Sequence, residues 1–139
     1  MKQYVVGIDG GGTKTELAAV GPDGEAWFRL RTGPINVTGA PEQEIFYTLK
    51  GLLTDAIKKA GGSLPAAVCI GAAGTSNPRA EKVLRSALLS AECTAPLLVV
   101  GDHRAALAGA LGRPVGMLLI SGTGSICSGR NEDGYEART

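Results

Sequence analysis

The chain has 139 residues, of which 44% are hydrophobic and 19% are charged, and its net charge is +1. This composition is typical of a folded globular domain and argues against a disordered chain. The balanced charge, with no basic stripe carrying aromatic residues, gives no support for nucleic-acid binding, and no apolar run is long enough for a membrane span.

Cysteine usage indicates the redox compartment. The three cysteines, Cys69, Cys93 and Cys127, are an odd number without CxxC spacing. This pattern argues against a zinc knuckle or a disulfide framework. It predicts a protein of the reducing cytoplasm.

The first part of the chain predicts an antiparallel meander of three strands. An apolar strand over residues 3–9 runs into a glycine turn, a second strand covers 15–20, and an alternating third strand covers 26–32. The Gly-Pro-Asp-Gly sequence at 21–24 is a tight-turn signal between the second and third strands.

Helices then alternate with buried strands. Apolar residues at three- and four-residue spacing predict a helix over about 41–60, and Asn77 followed by Pro78 predicts the start of a second helix. Short apolar runs at 66–70 and 97–100 predict two more strands. Strands separated by a helix form a right-handed parallel crossover, so the pattern predicts a mixed five-stranded α/β sheet with helices on its faces.

The last part of the chain repeats the first. An apolar strand over 116–120 runs into Ser-Gly-Thr-Gly-Ser at 121–125, just as the first strand runs into its glycine turn. Each copy continues into a second strand and then an Asp-Gly turn, which begins at Asp23 and at Asp133. Repeated sequence indicates repeated structure.

The repeat predicts two lobes. We expect a complete first lobe at residues 1–114 and the first hairpin of a second lobe at 115–139. A lone hairpin is marginally stable in water and its edges are open to pairing. We therefore expect it to be disordered or to pair with another chain, so that the protein is a homo-oligomer.

Residues 10–15, Gly-Gly-Gly-Thr-Lys-Thr, are the first candidate site. They fail the Walker A pattern because Thr13 precedes Lys14, and they fail the dinucleotide fingerprint because Thr15 replaces its third glycine. A loop of small residues with bare amides can still wrap an anion closely, and Asp9 directly before it can hold a magnesium ion. A plain glycine-rich turn is the alternative, but a second loop at the equivalent repeat position favours the anion site.

Three predicted strands end in small or acidic residues: at Asp9, at 71–75 with Gly74, and at Asp102. In open α/β sheets, ligands bind at the carboxyl ends of the strands. Asp102 also opens a predicted third helix over 102–112, where an aspartate is a good N-cap. We expect Asp102 to serve both as a cap and as a catalytic base, which requires one carboxylate oxygen to stay free.

Two further side chains have open roles. Asn36, in the loop after the third strand, has an amide that suits sugar hydroxyls or an acetamido group, but such a residue also bonds its own backbone. Lys14 is long enough to reach a phosphate, and a solvated lysine is an equally simple interpretation.

These residues resemble a known family. Residues 7–15 resemble the first phosphate motif of the actin, hexokinase and Hsp70 superfamily, and residues 119–125 resemble the second. The segment at 100–102, with the helix after it, is similar to the connection between the two motifs. Together they match the N-acetylglucosamine kinase branch, which is grouped with the BadF/BadG/BcrA/BcrD ATPases, over essentially the whole chain.

The resemblance implies a ribonuclease-H-like lobe with sheet order 3-2-1-4-5 and helices on both faces. It implies ATP and Mg²⁺ held between two lobes, and a sugar acceptor such as N-acetylglucosamine or a related hexosamine. Asp102 would take the proton from the sugar hydroxyl, Asn36 and Gly74 would lie in the sugar site, and Asp9 would hold the metal. The implied phosphate ligands are Gly10, Gly11, Gly12, Thr13 and Lys14, together with Gly122, Thr123, Gly124 and Ser125.

Some family features do not occur in these residues. The Gly-Trp-Gly segment, the Asp-Glu-Gly motif and the adenosine-binding loop are absent from the 139 residues, so we expect this chain alone to be inactive. One alternative is an ATPase activator of a 2-hydroxyacyl-CoA dehydratase or benzoyl-CoA reductase, which needs paired cysteines for an iron–sulfur cluster. The other is a non-catalytic sugar-sensing module, against which the presence of Asp9 and Asp102 argues.

Overall fold

Residues 3–35, 37–121 and 125–139 are described by the structure, a computed structural model. The internal contacts divide the chain into two units, Met1–Gly101 and Asp102–Thr139. The boundary predicted at residue 114 follows the sequence repeat rather than the contacts, and it stays a prediction.

The first unit is built on a five-stranded mixed sheet. Its strands are β1 (Val5–Gly10), β2 (Thr15–Val20), β3 (Ala26–Thr32), β4 (Val68–Ala72) and β5 (Leu97–Val100). They lie in the order β3-β2-β1-β4-β5, which confirms the predicted order. The meander pairs are antiparallel, whereas β1 pairs with β4 and β4 with β5 in parallel. β4 begins and ends two residues later than its apolar run predicts.

Two helices follow the meander in the first unit, α1 (Glu42–Lys59) and α2 (Pro78–Ser90). α1 has acidic residues in its first turn and lysines in its last turn, which complement the helix dipole. α2 starts as predicted, because the Asn77 side chain accepts a hydrogen bond from the Arg79 amide at 3.0 Å and Pro78 is the first helical residue.

The core lies between one face of this sheet and the two helices. β1 alternates between exposed and buried residues, so Val6, Ile8 and Gly10 face the core while Asp9 faces the other way. The helices contribute their apolar stripes to the same cluster. Its buried members include Val6, Ile8, Leu17, Ala19, Ile35, Ile45, Leu49, Leu53, Val68, Ile70, Leu84 and Leu88.

The second unit begins with α3 (Asp102–Leu111) and continues into β6 (Gly116–Ser121), β7 (Ser125–Arg130) and β8 (Glu136–Arg138). The strands form an antiparallel meander in the order β6-β7-β8, and α3 packs against β6. This meander repeats the architecture of β1-β2-β3, and β8 adds a third strand to the predicted hairpin. In the described ranges, no helix has both the length and the apolar content that a membrane crossing requires.

Thr15 gives a stability prediction for the first unit. Its side chain is fully buried, and its hydroxyl has no hydrogen-bond partner among the described residues. Thr15→Val keeps the shape and removes the unpaired hydroxyl, so the free energy of unfolding rises by about 1 kcal/mol in urea denaturation. Thr15→Ser is the control, because it keeps the hydroxyl, loses a buried methyl group and lowers stability by about 1 kcal/mol. A less stable Thr15→Val variant contradicts this account.

Candidate functional site

The first glycine loop is a tight hairpin whose tip has free amides. β1 and β2 pair as far as Gly10 and Thr15, and the amide of Gly11 donates to the carbonyl of Lys14 at 3.0 Å. A Cβ on Gly11 would lie 2.7 Å from that carbonyl oxygen, so this turn requires glycine. Gly12 and Thr13 form the exposed tip, and their amides donate to no acceptor within the described residues. Such amides are available to bind an anion.

Asp9 presents a free carboxylate beside this loop. It lies on the β1 face opposite the core, across from Glu16 on β2 and next to Gly71 on β4. It is exposed, and within the described ranges its carboxylate makes no hydrogen bond or ion pair. No cluster of three or more metal-ligating side chains occurs in those ranges. A single exposed carboxylate of this kind can serve as one ligand of Mg²⁺, which usually keeps several of its waters.

Lys14 pairs with a neighbouring acid, and its side chain remains 52% exposed. Its ammonium group lies 3.2 Å from Glu16 Oε1, which also accepts from Arg31 Nε at 2.9 Å and from Arg31 Nη2. The hydrogen bonds from Arg31 and then from Lys14 lower the pKa of Glu16 below its usual value. Exposed ion pairs of this kind are weak, so Lys14 can exchange Glu16 for an anionic ligand. This cluster was not predicted from the sequence, although Glu16 and Arg31 pair directly across β2 and β3.

The loop over 33–40, which carries Asn36, lies against the turn after β4. Asn36 itself is outside the described residues. Gly74 has a φ of +76°, and a Cβ there would overlap Thr38 Cγ2, so glycine is required on both conformational and steric grounds. The Gly74 carbonyl accepts from the amide of Asn77 at 3.2 Å, which joins this turn to the start of α2. The structure therefore brings Gly74 beside the loop predicted to bind the sugar.

Asp102, in the second unit, keeps one carboxylate oxygen free. It is the first residue of α3, two residues after the end of β5. Its Oδ1 accepts from the amide of His103 at 2.8 Å and lies 3.7 Å from His103 Nδ1. Its Oδ2 has no partner in the described part of the chain, and its side chain is 51% exposed. One carboxylate oxygen is therefore free, as a residue that serves both as a helix cap and as a base requires, and both roles of Asp102 stay predictions.

The second glycine loop is described only at its ends. Ser121 closes β6, Ser125 opens β7, and the two residues pair with each other as Gly10 pairs with Thr15 in the first loop. Gly122, Thr123 and Gly124, the remaining predicted phosphate ligands of this loop, lie outside the described residues.

A groove between α1 and α2 was not predicted from the sequence. Its volume is about 660 Å³, and Asp9 and the first glycine loop do not line it. A smaller cavity of about 150 Å³ lies next to it and is partly lined by Val37 and Ala40 of the 33–40 loop. Neither cavity is lined by residues 10–14, the candidate phosphate ligands of the first glycine loop.

The Glu16 cluster gives a pH prediction. The lowered pKa of Glu16 means that its ion pairs are fully formed above the unfolded-state pKa and are lost as pH falls through the folded value. In a ¹³C titration of the carboxyl carbon, Arg31→Ala shifts the Glu16 midpoint upward. Arg29→Ala is the matched control, because Arg29 lies on the same strand face but opposite Ala18, and it leaves the midpoint unchanged. An unchanged Glu16 midpoint in Arg31→Ala would exclude Arg31 as the main cause of the lowered pKa of Glu16.

Comparisons with known proteins agree with this architecture. An N-acetylmuramic acid/N-acetylglucosamine kinase of Clostridium acetobutylicum is 36% identical over 139 residues, which is 99% of this chain and 45% of that protein. An N-acetyl-D-glucosamine kinase of Dictyostelium discoideum is 27% identical, over 99% of this chain and 47% of that protein. The chain therefore spans about half the length of the curated relatives it matches.

A solved structure and a family profile lead to the same assignment. A crystal structure from Porphyromonas gingivalis, assigned as an N-acetylglucosamine kinase, superposes with a TM-score of 0.75 at 27% identity, over 91% of this chain and 44% of that one. The profile of the BadF/BadG/BcrA/BcrD ATPase family matches residues 6–139, which is nearly the whole chain. The chain therefore belongs to the BadF/BadG/BcrA/BcrD ATPase family.

Proposed function

We propose that this chain is part of an ATP-dependent sugar kinase that phosphorylates a hydroxyl of N-acetylglucosamine or a related hexosamine. The observation that carries the proposal is the hairpin at Gly12 and Thr13, whose amides are free, beside the free carboxylate of Asp9. An anion receptor beside an acid that suits Mg²⁺ is the arrangement that a metal-bound nucleotide needs. The kinases to which the chain is similar support the choice of acceptor.

Each phosphate-facing group has a proposed role. The amides of Gly10, Gly11, Gly12 and Thr13, with the ammonium group of Lys14, bind phosphate oxygens, and Gly122, Thr123, Gly124 and Ser125 bind the β- and γ-phosphates. Asp9 holds Mg²⁺, directly or through water. The metal supplies charge neutralisation on the phosphate oxygens when it is bound. The exposed Lys14–Glu16 pair supports the role of Lys14, because a weak surface pair is exchanged at little cost.

The sugar is proposed to bind at the 33–40 loop. Asn36 would hydrogen-bond sugar hydroxyls or the acetamido group, and Gly74 would lie in the same site, because the absence of a side chain there lets Thr38 of the loop pack against its backbone. The contact between Gly74 and Thr38 supports this assignment, because it keeps the two predicted sugar-binding segments together.

Asp102 is the proposed catalytic base. Its free Oδ2 would accept the proton of the attacking sugar hydroxyl, whose oxygen then bonds to the γ-phosphorus while the bond to the bridging oxygen breaks and ADP leaves. A carboxylate is a sufficient base because phosphoryl transfer depends mainly on positioning and charge neutralisation. The bond from the His103 amide to Oδ1 supports this role, because it fixes the carboxylate and leaves the other oxygen available.

The 139 residues alone are proposed to be inactive. They match only 45% of the length of the Clostridium kinase, and the resemblance assigns further nucleotide- and sugar-binding segments to the remainder. A coupled assay for ADP, with MgATP and N-acetylglucosamine, should detect no steady turnover above the rate without enzyme. The full-length Clostridium kinase is the positive control. Steady turnover by the 139-residue chain would refute this proposal.

The relatives' names favour the kinase over the activator of an acyl-CoA dehydratase or reductase. We place the activity in the reducing cytoplasm, where free thiols such as Cys69, Cys93 and Cys127 persist. We also propose a homo-oligomer, because the open edges of the β6-β7-β8 meander are available to pair with another chain. Sedimentation of the full-length polypeptide as a monomer at all concentrations would exclude the oligomer.

Replacing Asp102 tests the proposed chemistry. In the full-length polypeptide, Asp102→Asn lowers kcat by about 10²–10⁴-fold, because the amide cannot accept the proton. The fold is retained, since Asn is an equally good residue at a helix start. Asp55→Asn, on the exposed face of α1, is the matched control and keeps the wild-type kcat. A wild-type kcat for Asp102→Asn would assign the base to another residue.

A further inference from the structure

Ile35 joins the two loops that the proposed function assigns to different ligands. Its amide donates to the carbonyl of Gly11 at 3.2 Å, so the 33–40 loop is tied to the backbone of the glycine hairpin. Its side chain is only 1% exposed and belongs to the core cluster. A Cβ on Gly10 would lie 3.6 Å from Ile35 Cβ, so the Ile35 side chain packs directly on the backbone at the end of β1.

A second contact holds the same loop from its other side. Thr38 Cγ2 packs where a Cβ on Gly74 would lie, next to the turn after β4. Asn36 follows Ile35 in the chain and precedes Thr38, so the proposed sugar ligand lies between two points of attachment. The hydrogen bond from the Ile35 amide ends at the Gly11 carbonyl. Gly12 and Thr13, whose amides are free, follow Gly11 directly in the chain.

We infer that Ile35 is a positioning residue that couples nucleotide binding to sugar binding. The inference rests on the proposed function and names a property of the same site. Tightly packed groups transmit displacement rather than absorb it. When phosphate fixes the hairpin at Gly11, the Ile35 amide and side chain fix the 33–40 loop, so the sugar binds a loop that is already ordered. The coupling is reciprocal, because each ligand must raise the affinity for the other by the same factor.

The simpler interpretation is that Ile35 only fills the core. The two interpretations differ in what a smaller side chain does to the coupling, as distinct from stability. If Ile35 only fills the core, a smaller side chain lowers the stability of the fold but leaves unchanged the ratio of nucleotide affinities with and without the sugar. A coupling residue changes that ratio.

The test is calorimetric titration of the full-length polypeptide with Mg²⁺ and AMP-PNP, in the absence and presence of saturating N-acetylglucosamine. For the wild type we expect the sugar to tighten nucleotide binding by at least about 5-fold, the lower end of typical coupling factors. Ile35→Ala should reduce this factor to about 1, because it removes the buried side chain beyond Cβ that anchors the 33–40 loop in the core, and Ile35→Val should reduce it by a smaller but measurable amount. Ile70→Val is the matched control, because it removes the same methylene from the fully buried Ile70 on β4 and should keep the wild-type factor.

The outcomes separate this inference from the proposed function. A wild-type protein that binds neither AMP-PNP nor N-acetylglucosamine contradicts the proposed function itself. If the wild type binds both ligands, two results overturn only the role of Ile35. One is a wild-type coupling factor of 1, and the other is an undiminished coupling factor in Ile35→Ala. If Ile35→Ala does not fold, a factor in Ile35→Val equal to that of Ile70→Val overturns it as well.

Discussion

The first unit depends on the close approach of three chain segments at Gly10. A Cβ on this residue would lie 3.1 Å from Ala72 Cβ and 3.6 Å from Ile35 Cβ, so a methyl group would crowd Ala72 and reach van der Waals contact with Ile35. Gly10 lies in β1, between β2 and β4. Because it has no side chain, Ile35 of the loop after β3 packs on the end of the sheet. The proposed nucleotide and sugar loops are consequently parts of one packed assembly.

The pleat of β1 separates the core residues of this strand from the proposed metal ligand. Ile8 and Gly10 face the core, where helices and loops pack against them. Asp9, between them, faces the opposite side of the sheet with its carboxylate free. A shift of one residue in the pairing of β1 would bury Asp9 and expose Ile8. The register with β2 and β4, which the core fixes, is therefore also what presents the proposed metal ligand.

The sequence was sufficient for features that depend on local pattern. Strand alternation, the Gly-Pro-Asp-Gly turn and the Asn77-Pro78 cap predicted β2, β3 and α2 closely, and the resemblance predicted the sheet order. Features that depend on contacts between distant residues were missed. Gly71 and Ala72 have the composition of a turn, but pairing with β1 makes them the end of β4.

The same limit applies to the candidate site. The glycine loop and Asp9 were predicted as site residues because their residue types are unusual in a sheet, whereas Ile35 is an ordinary apolar residue whose proposed role depends only on what it packs on. Lys14 was predicted as a phosphate ligand or a solvated side chain, because its partner Glu16 and the second cation, Arg31, meet only once β2 pairs with β3.

The most direct test of the account is where a metal-bound nucleotide binds. Amide ¹H–¹⁵N spectra of the full-length polypeptide, titrated with Mg²⁺ and AMP-PNP, should show the largest shifts in the first unit at Gly12 and Thr13, whose amides are free. Unchanged signals at both residues, with shifts instead at Arg79 and Lys82 of the groove between α1 and α2, would contradict it.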